Sequence, residues 1–284
     1  MTRHPGRLHL LALLGGIGMA AAAAAPDAFA RPAHKARKGK EAEKAAVDLE
    51  PYRKGLTGDE AKVVETLEAI ARAGEPDLAP LVTEVLDRGG TEKVLEAALG
   101  AAGKLKAEGL SPSVTPYTRH RADGVRRLAV RTLLKTRGPS AVEALSVALR
   151  SPDPVVRGTA ASGLGTLGAH AALPELNRAF DHGVAEASAA IGQLCAPPEC
   201  EAFAAHLGKV TFDVMSGAFD QILFRPPAEM PDETKLRVVG RLRELGTPEA
   251  GKYLADVSGR WPEEWSKKLK QAIEAASHSV GGKP

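Results

Sequence analysis

Aromatic residues are scarce: two tryptophans, three tyrosines and six phenylalanines make up 4% of 284 residues. The apolar remainder is largely Ala, Leu and Val. That balance gives little support to a β-sandwich or barrel and suits helices packed closely through small side chains. Cysteine is nearly absent, with Cys195 and Cys200 in "CAPPEC" as the whole complement. H-E-x-x-H, G-x-S-x-G, a Walker loop and C-x-x-C are all missing, so no metal, nucleophile or phosphate site is announced by a motif. No pair of histidines shares a helix face at i, i+4, and His182 and His206 near the cysteines do not meet zinc-ligand spacing. Beyond the amino terminus no apolar run approaches the length of a membrane-spanning helix.

The amino terminus has its own pattern. "MTRHPGRLHLLALLGGIGMAAAAAAPDAFA" (1–30) places Arg3 and Arg7 before an apolar stretch from Leu8 to about Ala25, and ends on Ala28-Phe29-Ala30. Basic start, apolar middle and small residues at the end are the layout of a secretory signal peptide cleaved after Ala30, which implies a periplasmic or secreted protein. An uncleaved anchor is the alternative, weakened by the many alanines and glycines of the run and by Pro26. The formal charge of +3 belongs to this end of the chain. Residues 1–30 carry a net +1 and residues 31–44, "RPAHKARKGKEAEK", a net +4, leaving about −2 for residues 45–284. A basic, apolar-poor stretch of this kind is expected to be a flexible linker (31–57) ahead of the first helix. In an oxidising compartment the two cysteines are placed to form a disulfide, provided their α-carbons approach within about 7 Å. Two free thiols are the other reading.

"GLGTLG" (163–168) satisfies G-x-G-x-x-G, but a dinucleotide loop needs its glycines between a strand and the start of a helix. Here Asp153-Pro154 starts a helix, and Val156, Ala160, Leu164 and Leu167 recur on one helical face, so the glycines end a helix. Comparable endings occur in "EAIARAG" (68–74), "AALGAAG" (97–103), "TLLKTRG" (132–138), "AIGQLC" (190–195) and "RLRELG" (241–246). They align Ile70, Leu99, Leu134, Leu164, Ile191 and Leu242 at spacings of 29, 35, 30, 27 and 51, the last leaving room for an extra element. Gly74, Gly103, Gly138, Gly168 and Gly246 are expected as left-handed helix-ending residues, with Gly163 and Gly165 inside a helix closely approached by a neighbour. Second apolar-periodic stretches follow at 76–86, 139–149, 171–180 and 248–257. Thr57 and Glu60 have capping-box spacing ahead of the first repeat.

Stacked helix pairs make an α-solenoid. The cadence "SPDPVVRGTAASGLGTLGAHAALPELNRAF", with Asp153, Val156-Arg157, Ala160-Ala161, Leu164, Gly168, Pro174 and Leu176, resembles the HEAT repeat, especially the HEAT-like subtype first described in phycobilisome lyases. Residues 122–149 repeat it, with Val130-Arg131 in place of the paired alanines. The resemblance covers about 58–278, is strongest over 122–207 and weakest over 208–232. It implies an all-α, right-handed α-solenoid of antiparallel helix pairs over 58–278, with an irregular insertion at 207–233 and a tail at 279–284. The fold hosts adaptors, lyases and DNA-repair proteins alike, so it does not select an activity.

For function, the expectation is an exported scaffold that binds a protein partner, with no catalytic, cofactor or metal residues. The competing class is a HEAT-like enzyme of lyase or glycosylase type, or a nucleic-acid binder. Candidate surface residues are Arg127, Arg131 and Lys135, at i, i+4 and i+8 on one helix face, with Arg157 expected at the Arg127 position of the next repeat and Arg119, Arg121 and Arg126 nearby. Net negative charge over residues 45–284 and the lack of interleaved aromatics weigh against nucleic acid. In "GRWPEEW" (259–265), Trp261 and Trp265 are expected one turn apart at the start of the last helix, sealing the solenoid or anchoring a partner.

Overall fold

A computed structural model describes residues 47–281. The predicted signal peptide (1–30), residues 31–46 of the predicted linker and residues 282–284 of the tail lie outside the described residues. Those described form fifteen α-helices and no strand. In chain order they are α1 (Glu50–Leu56), α2 (Glu60–Ala73), α3 (Ala79–Arg88), α4 (Glu92–Leu105), α5 (Ser111–Val114), α6 (Asp123–Thr136), α7 (Gly138–Ala148), α8 (Pro154–Thr166), α9 (Leu173–Asp181), α10 (Ala187–Leu194), α11 (Pro197–Ala204), α12 (Phe212–Leu223), α13 (Asp232–Leu245), α14 (Pro248–Gly259) and α15 (Lys267–Gly281). Helices α2, α4, α6, α8, α10 and α12 pack each on the next in one row. A second row runs through α3, α5 and α7, and resumes through α11, α13 and α15. One continuous apolar core from Leu56 to Ala276 lies between the rows, so the fold is an α-solenoid of stacked helix pairs.

Small residues set the spacing of the first row. Helix α8 is held between α6 and α10, and its two internal glycines face opposite neighbours. A Cβ on Gly163 would lie 2.0 Å from Leu134 Cδ2 of α6, and one on Gly165 would lie 3.1 Å from the Ala190 backbone of α10. Gly192 continues the pattern, meeting the Ala218 backbone of α12. The glycines of "GLGTLG" therefore serve helix contact and helix termination, the last being Gly168 at φ +66°.

Several sequence expectations need correcting. Gly74 and Gly246 are left-handed at helix ends, but Gly103 is buried inside α4, which closes instead on Lys106 at φ +54°. The helix runs on because Gly103 fits the bare spot beneath Lys135 of α6, whose Cδ would lie 3.2 Å from an added Cβ. At the end of α6 the first positive-φ residue is Arg137, with Gly138 following. Correspondingly, buried Val125, Ala129, Val130 and Leu133 of α6 recur in α8 as Val156, Ala160, Ala161 and Leu164, each 31 residues later. The register is 31 and not 30, and Ala129-Val130 stands opposite the paired alanines. Thr57 closes α1 by donating to the Lys54 carbonyl, and Asp59 caps α2 by accepting from Lys62 N at 2.9 Å. Residues 50–56, expected within the linker, are thus helical and pack on α2. Within the 207–233 stretch, α12 buries Met215, Ala218, Phe219, Ile222 and Leu223 and continues the first row. Loop 224–231 then returns the chain to the second row, so α13 is a second-row helix beside α11 rather than the first of a new pair.

Candidate functional site

The second row is interrupted at α9, which packs mainly on α10 and leaves a cleft toward α7. How the chain turns there decides what lines it. After α7 the segment 149–153 leads to Asp153, whose carboxylate caps α8 by accepting from Val155 N at 2.9 Å. The same carboxylate accepts from Arg127 Nε at 2.8 Å, and Arg126 Nη2 lies 3.7 Å away. The Arg127 hydrogen bond holds the Asp153 carboxyl below its ordinary pKa, with help from the α8 backbone and against the opposing effect of burial. Arg157 donates back to the carbonyls of Ser151 (2.8 Å) and Pro152 (3.1 Å). Arg126 does the same one repeat earlier, to His120 (2.7 Å) and Arg121 (2.8 Å). The turns before α6 and α8 are thus each tied by an arginine from the helix that follows.

The cleft between α7 and α9 has a volume of about 750 Å³ and is floored by Val147, Leu149, Ala179 and Val184. Two smaller hollows, of about 360 and 410 Å³, adjoin it and share Val147 with it. Together they form a groove along the exposed side of α7 and its flanking turns. Six arginines line it (Arg119, Arg121, Arg126, Arg150, Arg157 and Arg178) against two carboxylates, Glu143 and Glu175. Arg178 pairs with Glu175 at 2.5 Å on α9. Arg119, Arg121 and Arg150 are exposed and have no ion pair among the described residues.

The residues singled out in the sequence divide among three places. Arg127, Arg131 and Lys135 do share the outer face of α6, but Arg127 is committed to Asp153 and the Lys135 stem lies over Gly103. Arg157 is not their counterpart. At a repeat of 31 it takes the position of Arg126, makes the same pair of carbonyl contacts and points to the groove. Arg119 and Arg150 correspond at the same offset. Arg119, Arg121, Arg126 and Arg157 are all named from the sequence, but the one-residue slip in register hides their repetition at the turns, and with it Arg150; Arg178 of α9 carries no such signal.

Trp261 and Trp265 lie in the connection before α15, not on it, with rings edge to face at 5.3 Å. Trp261 is buried and Trp265 half-buried. Between them and the cysteines runs a buried polar chain. The structure joins Cys195 to Cys200 in a disulfide, with α-carbons 5.3 Å apart. Arg225 donates to the carbonyls of Cys195 (2.8 Å) and Gly192. Lys235 Nζ donates to the Arg225 carbonyl at 2.5 Å and sits 4.3 Å from the Trp265 ring centre and 5.5 Å from that of Trp261. Burial lowers the Lys235 pKa to about 8, with Arg225 adding to the drop and Asp232 opposing it. Its signal was in the sequence: Lys235 stands in the apolar stripe of α13 with Val238, Val239 and Leu242.

The HEAT repeat family model matches residues 111–195, the stretch that contains the groove. Comparison with curated proteins finds no match. Among solved structures, the chain is similar to the complex of CpcE and CpcF of phycocyanin lyase from Nostoc sp. PCC7120 (17% identity, TM-score 0.43, over 90% of this chain and 100% of that one). It is also similar to a designed armadillo repeat protein in complex with the peptide (KR)4 (13% identity, TM-score 0.40, 82% and 100%). Human deoxyhypusine hydroxylase is a further likeness (15% identity, TM-score 0.27, 82% and 84%). Resemblances of this degree carry no argument about activity.

Proposed function

We propose that the protein, whose residues 111–195 match the HEAT repeat model, is an exported scaffold that binds a partner protein without catalysing a reaction. The observation that carries the reading is the groove beside α7, an open surface with an apolar floor and a charged rim, built on rigid helices. Most of its polar side chains are guanidiniums, which donate hydrogen bonds and do not exchange protons near neutral pH, while the two histidines in its lining, His120 and His182, each hold Nδ1 against the backbone of their own turn. Export is supported by the composition of residues 1–30 and by a cysteine pair at disulfide distance, which suits an oxidising compartment.

The test is crosslinking capture with residues 31–284, which contain the whole core, on the envelope fraction at physiological salt. A discrete partner in stoichiometric amount is expected. Recovery of nucleic acid or a small molecule without protein would move the reading to the competing class, and a mature protein found in the cytoplasm would remove the export half.

A further inference from the structure

The groove beside α7 has a chemistry narrow enough to specify its occupant. Its unpaired cations are all arginines, and Arg119, Arg121 and Arg150 stand exposed along the rim. A guanidinium presents a planar fork of donors that matches a carboxylate or phosphate in two parallel hydrogen bonds. The floor between them is aliphatic, from Val147, Leu149, Ala179 and Val184. Among the described residues, no Phe, Tyr or Trp lines any of the three hollows. Bases of a nucleic acid would therefore find nothing to stack on, and stacking is what single strands use. The chain's own basic stretch at 31–44 has the wrong charge to fill it.

We infer that this groove binds an extended acidic segment of a partner protein in which carboxylates alternate with aliphatic side chains. An extended chain directs successive side chains to opposite sides, so one set meets the arginine rim while the other covers the aliphatic floor. The two turns flanking α7 present their arginines at the 31-residue repeat, Arg119 with Arg126 and then Arg150 with Arg157. The inference rests on the scaffold reading and adds to it the chemistry of the partner.

The experiment is fluorescence anisotropy with residues 31–284 and a labelled ten-residue peptide of alternating Glu and Leu, beside a Lys/Leu peptide and an oligo-dT strand. The Glu/Leu peptide is expected to bind, with affinity falling as salt rises, and the Lys/Leu peptide is not. Exchanging Arg119→Glu together with Arg150→Glu should weaken binding about tenfold or more and transfer some affinity to the Lys/Leu peptide. Arg131→Glu with Lys135→Glu on the α6 face should leave it unchanged. All variants are first matched to the parent by circular dichroism and melting. Equal loss from the α6 pair, indifference to the groove pair, or tighter binding of oligo-dT that displaces the peptide overturns the proposal. Repeating the envelope capture with the groove variant separates the two readings. A partner still captured leaves the scaffold and sinks the groove; a peptide site without any captured partner does the reverse.

Discussion

Asp153 concentrates more structural duty than any other side chain near the groove. It is buried at 5% exposure, caps α8 and accepts the Arg127 guanidinium. Asp153→Ala removes both, and a lost cap together with a lost charged hydrogen bond should cost about 2–3 kcal/mol. Asp153→Asn keeps an acceptor for Val155 N and should lose roughly half of that. The pH behaviour follows from the lowered carboxyl pKa. A depressed acid contributes stability that is present above the unfolded value, about 4, and disappears as pH falls through the folded value beneath it. Urea unfolding of parent and Asp153→Asn should thus show a constant gap at neutral pH that closes in acid. A gap that widened in acid would mean that the carboxylate is destabilised by its burial and not held by Arg127.

At the scale of the helix, glycine separates two kinds of position that look alike in sequence. Gly192 of α10 lies against α12, where an added Cβ would sit 2.5 Å from the Ala218 oxygen and 2.7 Å from its α-carbon. Backbone cannot move aside as a side-chain tip can, so Gly192→Ala should destabilise by about 2–3 kcal/mol. Gly100, inside α4, has nothing within 4 Å of the same point. Gly100→Ala should stabilise by about 0.5–1 kcal/mol through lower unfolded-state entropy. Thermal melts of the two variants moving in opposite directions would show that the backbone of the neighbouring helix, and not the place inside a helix, decides the sign.

The same contrast explains how far the sequence could be followed. Helix periods and turn residues located α3, α7 and α9 as second helices, and found a helix at 248–257 as well, because apolar spacing is a local signal; that last helix, α14, follows the second-row α13 and is not the second of its pair. Cap positions were less legible. Gly103 resembles a terminator but fills a bare spot under Lys135, a fact that depends on the neighbouring repeat. Arg137 and Lys106 adopt positive φ without being glycine, so aligning on glycine displaced the register by one and placed Arg157 on the wrong face. Lys235 is legible only from its place in the apolar stripe of α13, against its residue type. An amphipathic reading assigns a lysine to solvent, whereas this one finds the Arg225 carbonyl and two indole rings inside.

At the scale of the whole molecule, a solenoid is held together by neighbours, and each repeat should open largely on its own. The carboxyl-terminal half adds to that rule a chain of polar contacts, each between neighbouring elements but linked one to the next. Arg225 reaches back some thirty residues to Gly192 and Cys195, Lys235 ties that arginine to the tryptophan pair, and Asp220 of α12 accepts from Tyr253 of α14 at 3.0 Å. The disulfide fixes the carbonyl of Cys195 on which this chain of contacts ends. Reducing it should therefore loosen the end of α10, α11 and residues 224–235 together, and carry the effect into α13 and α15, which pack on one another. Helices α2 to α6 have no link to that network except through successive neighbours, so their protection should not change. Amide hydrogen exchange with and without reductant, repeated on Cys195→Ala/Cys200→Ala, measures this directly. Faster exchange confined to residues beyond about 190 identifies a cooperative unit built on the array, while a uniform rise from α2 to α15 would show that the molecule opens as one body and that the long contacts add nothing to the stacking.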